Sequence, residues 1–302
     1  MQKSQAQKDK KGQTATTDNV TAPSPGPPSH HGNLDILRGI DVPRTRFPQR
    51  GRFGRMFHHL GPFLPDDSLL IELGKADGIM VAPGTDADST TRFGGTTFLG
   101  QFLDHDITLD ATSSLEQQTD PLATDNFRTP FFELDSVYDR GPVASAHLYD
   151  RLDRDKLLIG VTAEGKDDLP RNSQGTALIG DPRNDENLIV AQLHLAFLKF
   201  HNAVVDHVRS LGIPPGKVFQ AAQQLTRWHY QWIIVHEFLP SVVDDKIVAD
   251  VITNGRKFYK FDIEPFIPVE FAVAAYRFGH SDPARVSNGC SGIPLVCGNG
   301  GG

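Results

Sequence analysis

Apolar residues in this chain recur mainly at three- and four-residue spacing, the period of a helix face. Over residues 94–108 the pattern Phe98, Leu99, Phe102, Leu103 predicts a helix with one buried face. That face would hold Asp104, His105 and Asp106 against a protein interior. From 186 to 211, Ile189, Leu193, Ala196, Phe197, Phe200, Val204, Val208 and Leu211 mark a long helix, with Asn184 or Asp185 as its N-cap. A second long helix is expected over 217–239, with Leu225, Trp228, Trp232, Val235 and Leu239 on one face and Pro240 as its stop. A third runs from 268 to about 280 and opens on Pro268, since proline suits a first turn. Shorter elements are a helix over 69–73 and a strand over 157–161. Residues 77–91 read as a loop from their Gly, Pro and Asp content, and the stretch before 65, with its Arg-x-Phe repeats, reads as a wrapping segment. No alternating β pattern of any length occurs, so the expected fold class is mainly α.

Composition narrows the partners more than the fold. The chain has 302 residues and a formal net charge of -7, which argues against a general phosphate-binding surface and so against nucleic acid. No uninterrupted apolar run approaches the roughly 20 residues of a membrane span. The first 31 residues are rich in Lys, Gln, Ser, Thr and Pro and carry no apolar core of a Sec-type signal, so they read as a disordered leader. Cys290 and Cys297 lie in a Gly-rich tail where only a local disulfide is open to them. The chain contains no CxxC, HExxH, ExxH or P-loop pattern, which removes zinc-ribbon, zincin, ferritin-like and P-loop chemistry.

The candidate chemistry begins at Asp104-His105-Asp106. Adjacent helical residues point about 100° apart, so the three polar groups must serve three different targets. Gln101 precedes His105 by one turn on the same side. Further on, Thr129, Glu133, Asp135 and the Phe131 carbonyl offer hard oxygens to a calcium ion if Asp106 joins them from the helix end, although such a Thr-Pro loop can also be a plain turn. Arg183 sits just before the long helix, where a loop can aim its guanidinium inward. His194 and His201, and likewise His229 and His236, lie seven apart on single helices and read as packed or surface residues rather than ligands. His280 differs, because Arg277 shares its side and Gly279 leaves the backbone bare. A metal-binding imidazole, a cation for carboxylates and an unobstructed position together suit a haem.

Five blocks in order resemble the animal-type haem peroxidases of the peroxidase-cyclooxygenase superfamily, and its bacterial members most. They are Gly100-Gln101-Phe102-Leu103-Asp104-His105-Asp106, Thr129-Pro130-Phe131 through Asp135-Ser136-Val137-Tyr138, Gly180-Asp181-Pro182-Arg183-Asn184-Asp185-Glu186-Asn187, His194 through Phe200-His201-Asn202, and Tyr276-Arg277-Phe278-Gly279-His280. The resemblance implies that family's helical fold and haem b as cofactor. It implies His105 as the base taking a proton from hydrogen peroxide, Arg183 as the cation beside the departing oxygen, and Gln101 as a lining residue of the distal cavity. His280 would ligate the haem iron and Arg277 would hold a propionate. Asp104 and Glu186 match carboxylates that in some members form ester bonds to haem methyl groups, while Asn187 replaces the Met of a sulfonium-linked branch. Asp106, Thr129, Phe131, Glu133 and Asp135 align with the family's calcium site, with Glu133 where Asp is usual.

The expected organisation is a disordered segment over 1–32, a haem peroxidase domain over 33–286 and a Gly-rich tail over 287–302. Family members continue past the proximal histidine, so the resemblance implies a fold incomplete at the C-terminus. The leading expectation is a peroxidase that reduces hydrogen peroxide and oxidises small donors such as phenols or halides. The rivals are an inactive fragment retaining haem, calcium or a partner surface, and a fatty-acid dioxygenase of the same superfamily. Family members are often exported, so the expectation is export by a route other than a Sec signal, or a cytoplasmic chain.

Overall fold

A computed structural model of the chain describes residues 53–57, 60, 65–78, 94–109, 126–261 and 265–277. The expected disordered leader, all but the first two residues of the loop expected over 77–91, the cysteines and the histidine at 280 lie outside the described residues. The described part is mainly helical, as the apolar spacing requires. Helix α1 is Asp67–Gly74, α2 Gly94–Ile107, α3 Asp135–Tyr138, α4 Gly141–Ala144, α5 Leu188–Ser210, α6 Val218–Ile233, α7 Leu239–Val242 and α8 Asp245–Asn254. Strands β1, Gly160–Val161, and β2, Asp167–Asp168, form one short antiparallel pair. The strand expected over 157–161 is therefore only its last two residues.

The core forms where α2, α3, α5 and α6 meet. Phe102 of α2 stacks on Phe197 of α5, with ring centroids 5.1 Å apart, and Tyr230 of α6 meets both rings edge-on. Leu103, Leu134, Val137, Val190 and Leu198 close the same cluster. Complete burial of side chains this large removes on the order of 1.5–3 kcal/mol of apolar exposure each, which is what orders α2 against the other helices. By contrast, α1 is capped by Asp66 yet buries nothing, and Leu69, Leu70 and Ile71 are exposed. Of the segment before α1, residues 53–57 are held against the far end of the described chain: Gly54 exchanges backbone hydrogen bonds with Ile267 and Val269, and Glu270 accepts from the Met56 and Phe57 amides.

Three expectations change. The cap of α5 is Asn187, whose side chain accepts from the Val190 amide, so the helix starts two residues later than the apolar pattern suggests. Pro240 does not stop the second long helix. A π-turn, Ile234–Phe238, follows α6 and runs without a break into α7, where Pro240 lies in the first turn. The buried face of α6 also differs from the predicted one. Ala222, Gln223, Thr226, Arg227 and Tyr230 face inward, whereas Trp228 and Trp232 are each 55% exposed. Gln231 and Arg227 donate to the Phe132 and Glu133 carbonyls, so polar anchoring of a loop, not apolarity, sets the rotation of this helix. The third helix is present as a π-turn, Glu270–Ala274, and the turn after it.

By length and composition α5 could cross a membrane, which the sequence reading did not anticipate, but half of that stretch is buried inside the fold. His194 and His201 lie on its buried side with no exposed surface. His201 donates from Nε2 to the Asp155 carbonyl and accepts at Nδ1 from the Tyr138 hydroxyl, each at 2.9 Å. Burial drives both imidazoles down to about 4 from an ordinary 6.5. The unfolded chain then binds more protons between those values, so stability is complete above 6.5 and falls as pH drops toward 4. Each ring should account for about 3 kcal/mol of that loss. Urea unfolding across this window is expected to show the decline, and His201→Phe is expected to remove about one proton of uptake. Stability that stays level with pH would contradict it.

Candidate functional site: a buried imidazole between two carboxylates

The end of α2 delivers Asp104, His105 and Asp106 in three directions, as their angular spacing demands. Asp104 accepts from the Thr108 hydroxyl at 3.0 Å and faces the Arg277 guanidinium at 3.4 Å. His105 turns the other way. Its Nδ1 is 2.8 Å from Asn184 Oδ1, and its Nε2 lies 3.7 Å from Glu186 Oε1. Asp106 points back into the protein, where its Oδ2 accepts from the Glu133 and Leu134 amides, both at 3.1 Å.

Around His105 the donors and acceptors interlock. The Gln101 amide donates to Glu186, and Asn187 donates to Gln101 Oε1 at 3.2 Å. Burial, then the Arg183 charge, lowers the His105 pKa, so the ring is neutral near pH 7 and able to accept a proton. Arg183 itself lies behind the imidazole. Its Nη2 donates to the His105 and Thr108 carbonyls at 3.0 and 2.6 Å, and its Nε and Nη2 bind Asp181. The guanidinium thereby closes the carbonyl end of α2, a task that the sequence gives no sign of.

Asp181 is shared with Arg128, and Arg128 is also 3.4 Å from Asp135. Burial opposes the Asp181 charge, yet the bonds from Arg183 and the Arg128 charge hold its pKa well below the carboxylate range. Gly180 is required here, because a Cβ would lie 2.6 Å from the Ser136 carbonyl oxygen. The loop before α5 and the loop carrying Asp135 are thus pressed together.

The expected calcium ligands are partly assembled. Asp106 and Asp135 are fully buried neighbours, and Thr129 donates its hydroxyl to Glu133. Burial, followed by the Asp135 charge, raises the Asp106 pKa well above the usual carboxylate range. Asp106 Oδ1 meets no hydrogen-bond donor. A buried carboxylate in this state needs either a proton or a cation, and that fits a hard-ion site. Even so, among the described residues no three His, Cys, Asp or Glu side chains converge as a metal cluster. Phe131 is half-buried at the edge of the same loop.

The residues flanking His105 suit the near face of a haem: a buried imidazole, the half-exposed Glu186, and Asp104 paired with the cationic Arg277. Phe238 and the Tyr276 hydroxyl close on Gly100, whose carbonyl accepts from Tyr276 at 2.7 Å. Asn184, Asn187, Arg128 and Asp181 were not read as site residues from the sequence. The single available signal was that all but Arg128 fall in the same eight-residue block as Arg183 and Glu186.

A helical core holding a neutral imidazole beside paired carboxylates and arginines is an arrangement suited to proton transfer in a dry pocket. The animal haem peroxidase model matches residues 112–286, more than half of the chain, and the protein belongs to that family. The matched stretch includes Arg183, Glu186, Arg277 and the Thr129 to Asp135 loop and begins just after α2. Curated relatives include a peroxidase-like protein of Margaritifera margaritifera, 31% identical over 124 residues (38% of this chain and 16% of that protein), and heme peroxidase 2 of Caenorhabditis elegans, 28% identical over 109 residues (34% and 15%). The dual oxidase of Drosophila melanogaster is 29% identical over 106 residues, covering 34% of this chain and 6% of that protein. The chain thus spans 16% or less of the length of these relatives. A crystal structure of an Arabidopsis thaliana fatty acid alpha-dioxygenase is similar at a TM-score of 0.49 and 16% identity, over 70% of this chain and 41% of that one.

Asp181 is the group on which the arginine clamp depends. Asp181→Ala leaves the Arg128 guanidinium buried without its closest carboxylate and frees Arg183 from its anchor. Removal of one partner from such a buried pair costs about 3–5 kcal/mol. A loss of that size in denaturant unfolding is the expected outcome, and a change within about 0.5 kcal/mol, as at an ordinary surface site, would contradict it.

Proposed function

We propose that this chain forms the peroxide-binding side of a haem-dependent peroxidase, with His105 as its catalytic base. The observation that supports this most is His105 itself: buried, lowered in pKa, and with Nε2 3.7 Å from Glu186, to which Gln101 donates. Bound haem b would supply the redox centre for peroxide reduction. His105 Nε2 would take the proton from the near oxygen of hydrogen peroxide and return it to the departing oxygen, so that water leaves instead of hydroxide. The Arg183 charge close behind the ring lowers the His105 pKa and so favours return of that proton; its guanidinium is taken up by Asp181 and the carbonyl end of α2, not set beside the departing oxygen as the resemblance implies. Gln101 would orient the peroxide through its amide. Arg277 would hold a propionate, and Asp104 and Glu186 would lie where ester links to the haem edge form. His280 would be the ligand to the haem iron. The reducing substrate in this reading is a small donor such as a phenol or halide.

The test uses the full chain reconstituted with haem. A Soret band and peroxide-dependent oxidation of a phenolic donor are expected. His105→Ala should leave the band in place and lower turnover by about 10²–10⁴-fold, the usual worth of a positioned base. Turnover unchanged by that substitution would remove His105 from the mechanism, and no Soret band would remove haem.

Calcium is proposed at Asp106, Thr129, Phe131, Glu133 and Asp135, supported by the raised pKa of Asp106. Without a cation, a carboxylate raised in the fold contributes stability that is fully present below its unfolded value of 3.8 and is lost as pH climbs through the folded value. Calcium should reverse that loss near neutral pH. At a concentration 100 times its Kd it should add about 2.7 kcal/mol, read as a higher thermal midpoint that a chelator abolishes. Asp106→Asn is expected to remove the calcium response. An identical midpoint with calcium and with chelator would rule the site out.

A further inference from the structure

Behind His105 a second buried polar chain runs away from the pocket. Asn184 lies in the 3₁₀ turn Pro182–Asp185, and this turn is fixed by the Asp181 side chain accepting from the Arg183 amide and by the Asn184 amide donating to the Asp181 carbonyl. Its carboxamide reaches both ways: Oδ1 is 2.8 Å from His105 Nδ1, and Nδ2 is 2.9 Å from Nδ1 of His194 on α5. Asn184 and His194 have no exposed surface and His105 is 4% exposed, so water does not compete for these bonds. We infer that Asn184 and His194 are positioning residues that fix the His105 ring in its Nδ1–H tautomer, leaving Nε2 as the atom that accepts the proton. This inference rests on the reading of His105 as the base.

The chain has a direction. His105 Nδ1–H donates to Asn184 Oδ1, and Asn184 Nδ2–H donates to His194 Nδ1. His194 must then carry its proton on Nε2, which is buried without a partner and whose ring meets Phe102 edge-on at 6.2 Å. The reverse direction would place the amide N–H against His105 Nδ1 and force the proton onto Nε2, closing the pocket-facing atom to peroxide. Only the first direction survives protonation of His105 at Nε2, because Nδ1 remains a donor in both charge states. His194 serves as a fixed acceptor: burial keeps it neutral, with a pKa of about 4, so it does not change state while His105 cycles. The Asn184 amide is therefore held at both ends and cannot turn over without breaking two hydrogen bonds.

Long-range proton–nitrogen correlation on the full chain, labelled with ¹⁵N-histidine and kept free of haem at mildly alkaline pH, reports which ring nitrogen carries the proton. The expected result for the native chain is Nδ1–H at His105 and Nε2–H at His194. Asn184→Ala should turn the His105 signals into those of a tautomer mixture. Asn184→Asp, which keeps the acceptor but loses the donor, should restore Nδ1–H at His105. With haem bound, the alanine variant should lose about tenfold or more in kcat with the donor KM unchanged, and the aspartate variant should regain it. Nε2–H at His105 in the native chain, or a His105 tautomer unmoved by Asn184→Ala, overturns the inference. Because the tautomer is read without haem or turnover, failure here is distinct from failure of His105→Ala to lower activity.

Discussion

The carbonyl end of α2 is buried, and the rest of the site follows from how its oxygens are satisfied. A helix leaves its last four carbonyls without partners inside the helix, and burial makes each unpaired one cost about 1–3 kcal/mol. Here the partners arrive from distant parts of the chain. Arg183 serves the His105 and Thr108 carbonyls, Asn126 donates to the Ile107 carbonyl at 3.0 Å, and Thr108 itself folds back on the Asp104 carbonyl at 2.9 Å. To hold Arg183 there requires Asp181, and to hold Asp181 in the interior requires Arg128. Arg128 in turn reaches Asp135, which stands beside Asp106. The capping requirement of one helix thus ties together three segments and sets where His105 and Asp106 point.

Much of the fold was legible because helical spacing reports burial when burial is apolar. That holds for α2, where Phe102 and Leu103 are buried and Phe98 and Leu99 pack against the core, but only in part for α5, where Phe197, Val204 and Val208 of the predicted face are buried while Ala196 and Leu211 are exposed and His194 and His201 face inward. It fails for α6 because the side facing inward carries Gln223, Thr226 and Arg227, of which Thr226 and Arg227 donate to the Ala222 and Glu133 carbonyls. A hydropathy pattern cannot anticipate a carbonyl from a loop about ninety residues away. Glu133 and Phe132 are those loop residues, so the rotation of α6 and the shape of the Asp106 pocket are one constraint. The three directions of Asp104, His105 and Asp106 needed only the geometry of a helix. Arg183 and Asn184 needed the tertiary fold, because the sequence places both near the site but does not say which atoms they face.

The segment around the two π-turns shows how the opposite side is set. The wider turn at Ile234–Phe238 brings Ile234 and Phe238 to the buried side, and Phe238 packs over Gly100 one turn before Asp104. The second π-turn, Glu270–Ala274, leads directly to Tyr276 and Arg277, which bind the Gly100 carbonyl and the Asp104 carboxylate. π-turns are frequent at functional sites because one added residue re-aims everything after it. In this chain each delivers aromatic or cationic groups to the same two turns of α2.

His105 and Asp106 are adjacent, and both lose nearly all contact with water, yet burial drives them toward opposite ends of their titration. Desolvation disfavours whichever form is charged. It therefore strips the proton from the imidazole and retains it on the carboxyl. Arg183 adds to this by opposing an imidazolium, against the smaller opposite effects of Asp181 and Glu186, and Asp135 adds to it by opposing a second carboxylate. A neutral base and an uncompensated acid are thus consequences of one buried helix end. A cation at Asp106 would relieve the second without disturbing the first, because the two side chains leave the helix about 100° apart and the His105 ring is braced from behind through Asn184. The backbone that carries both side chains is itself held by the bonds from Arg183 to the His105 and Thr108 carbonyls.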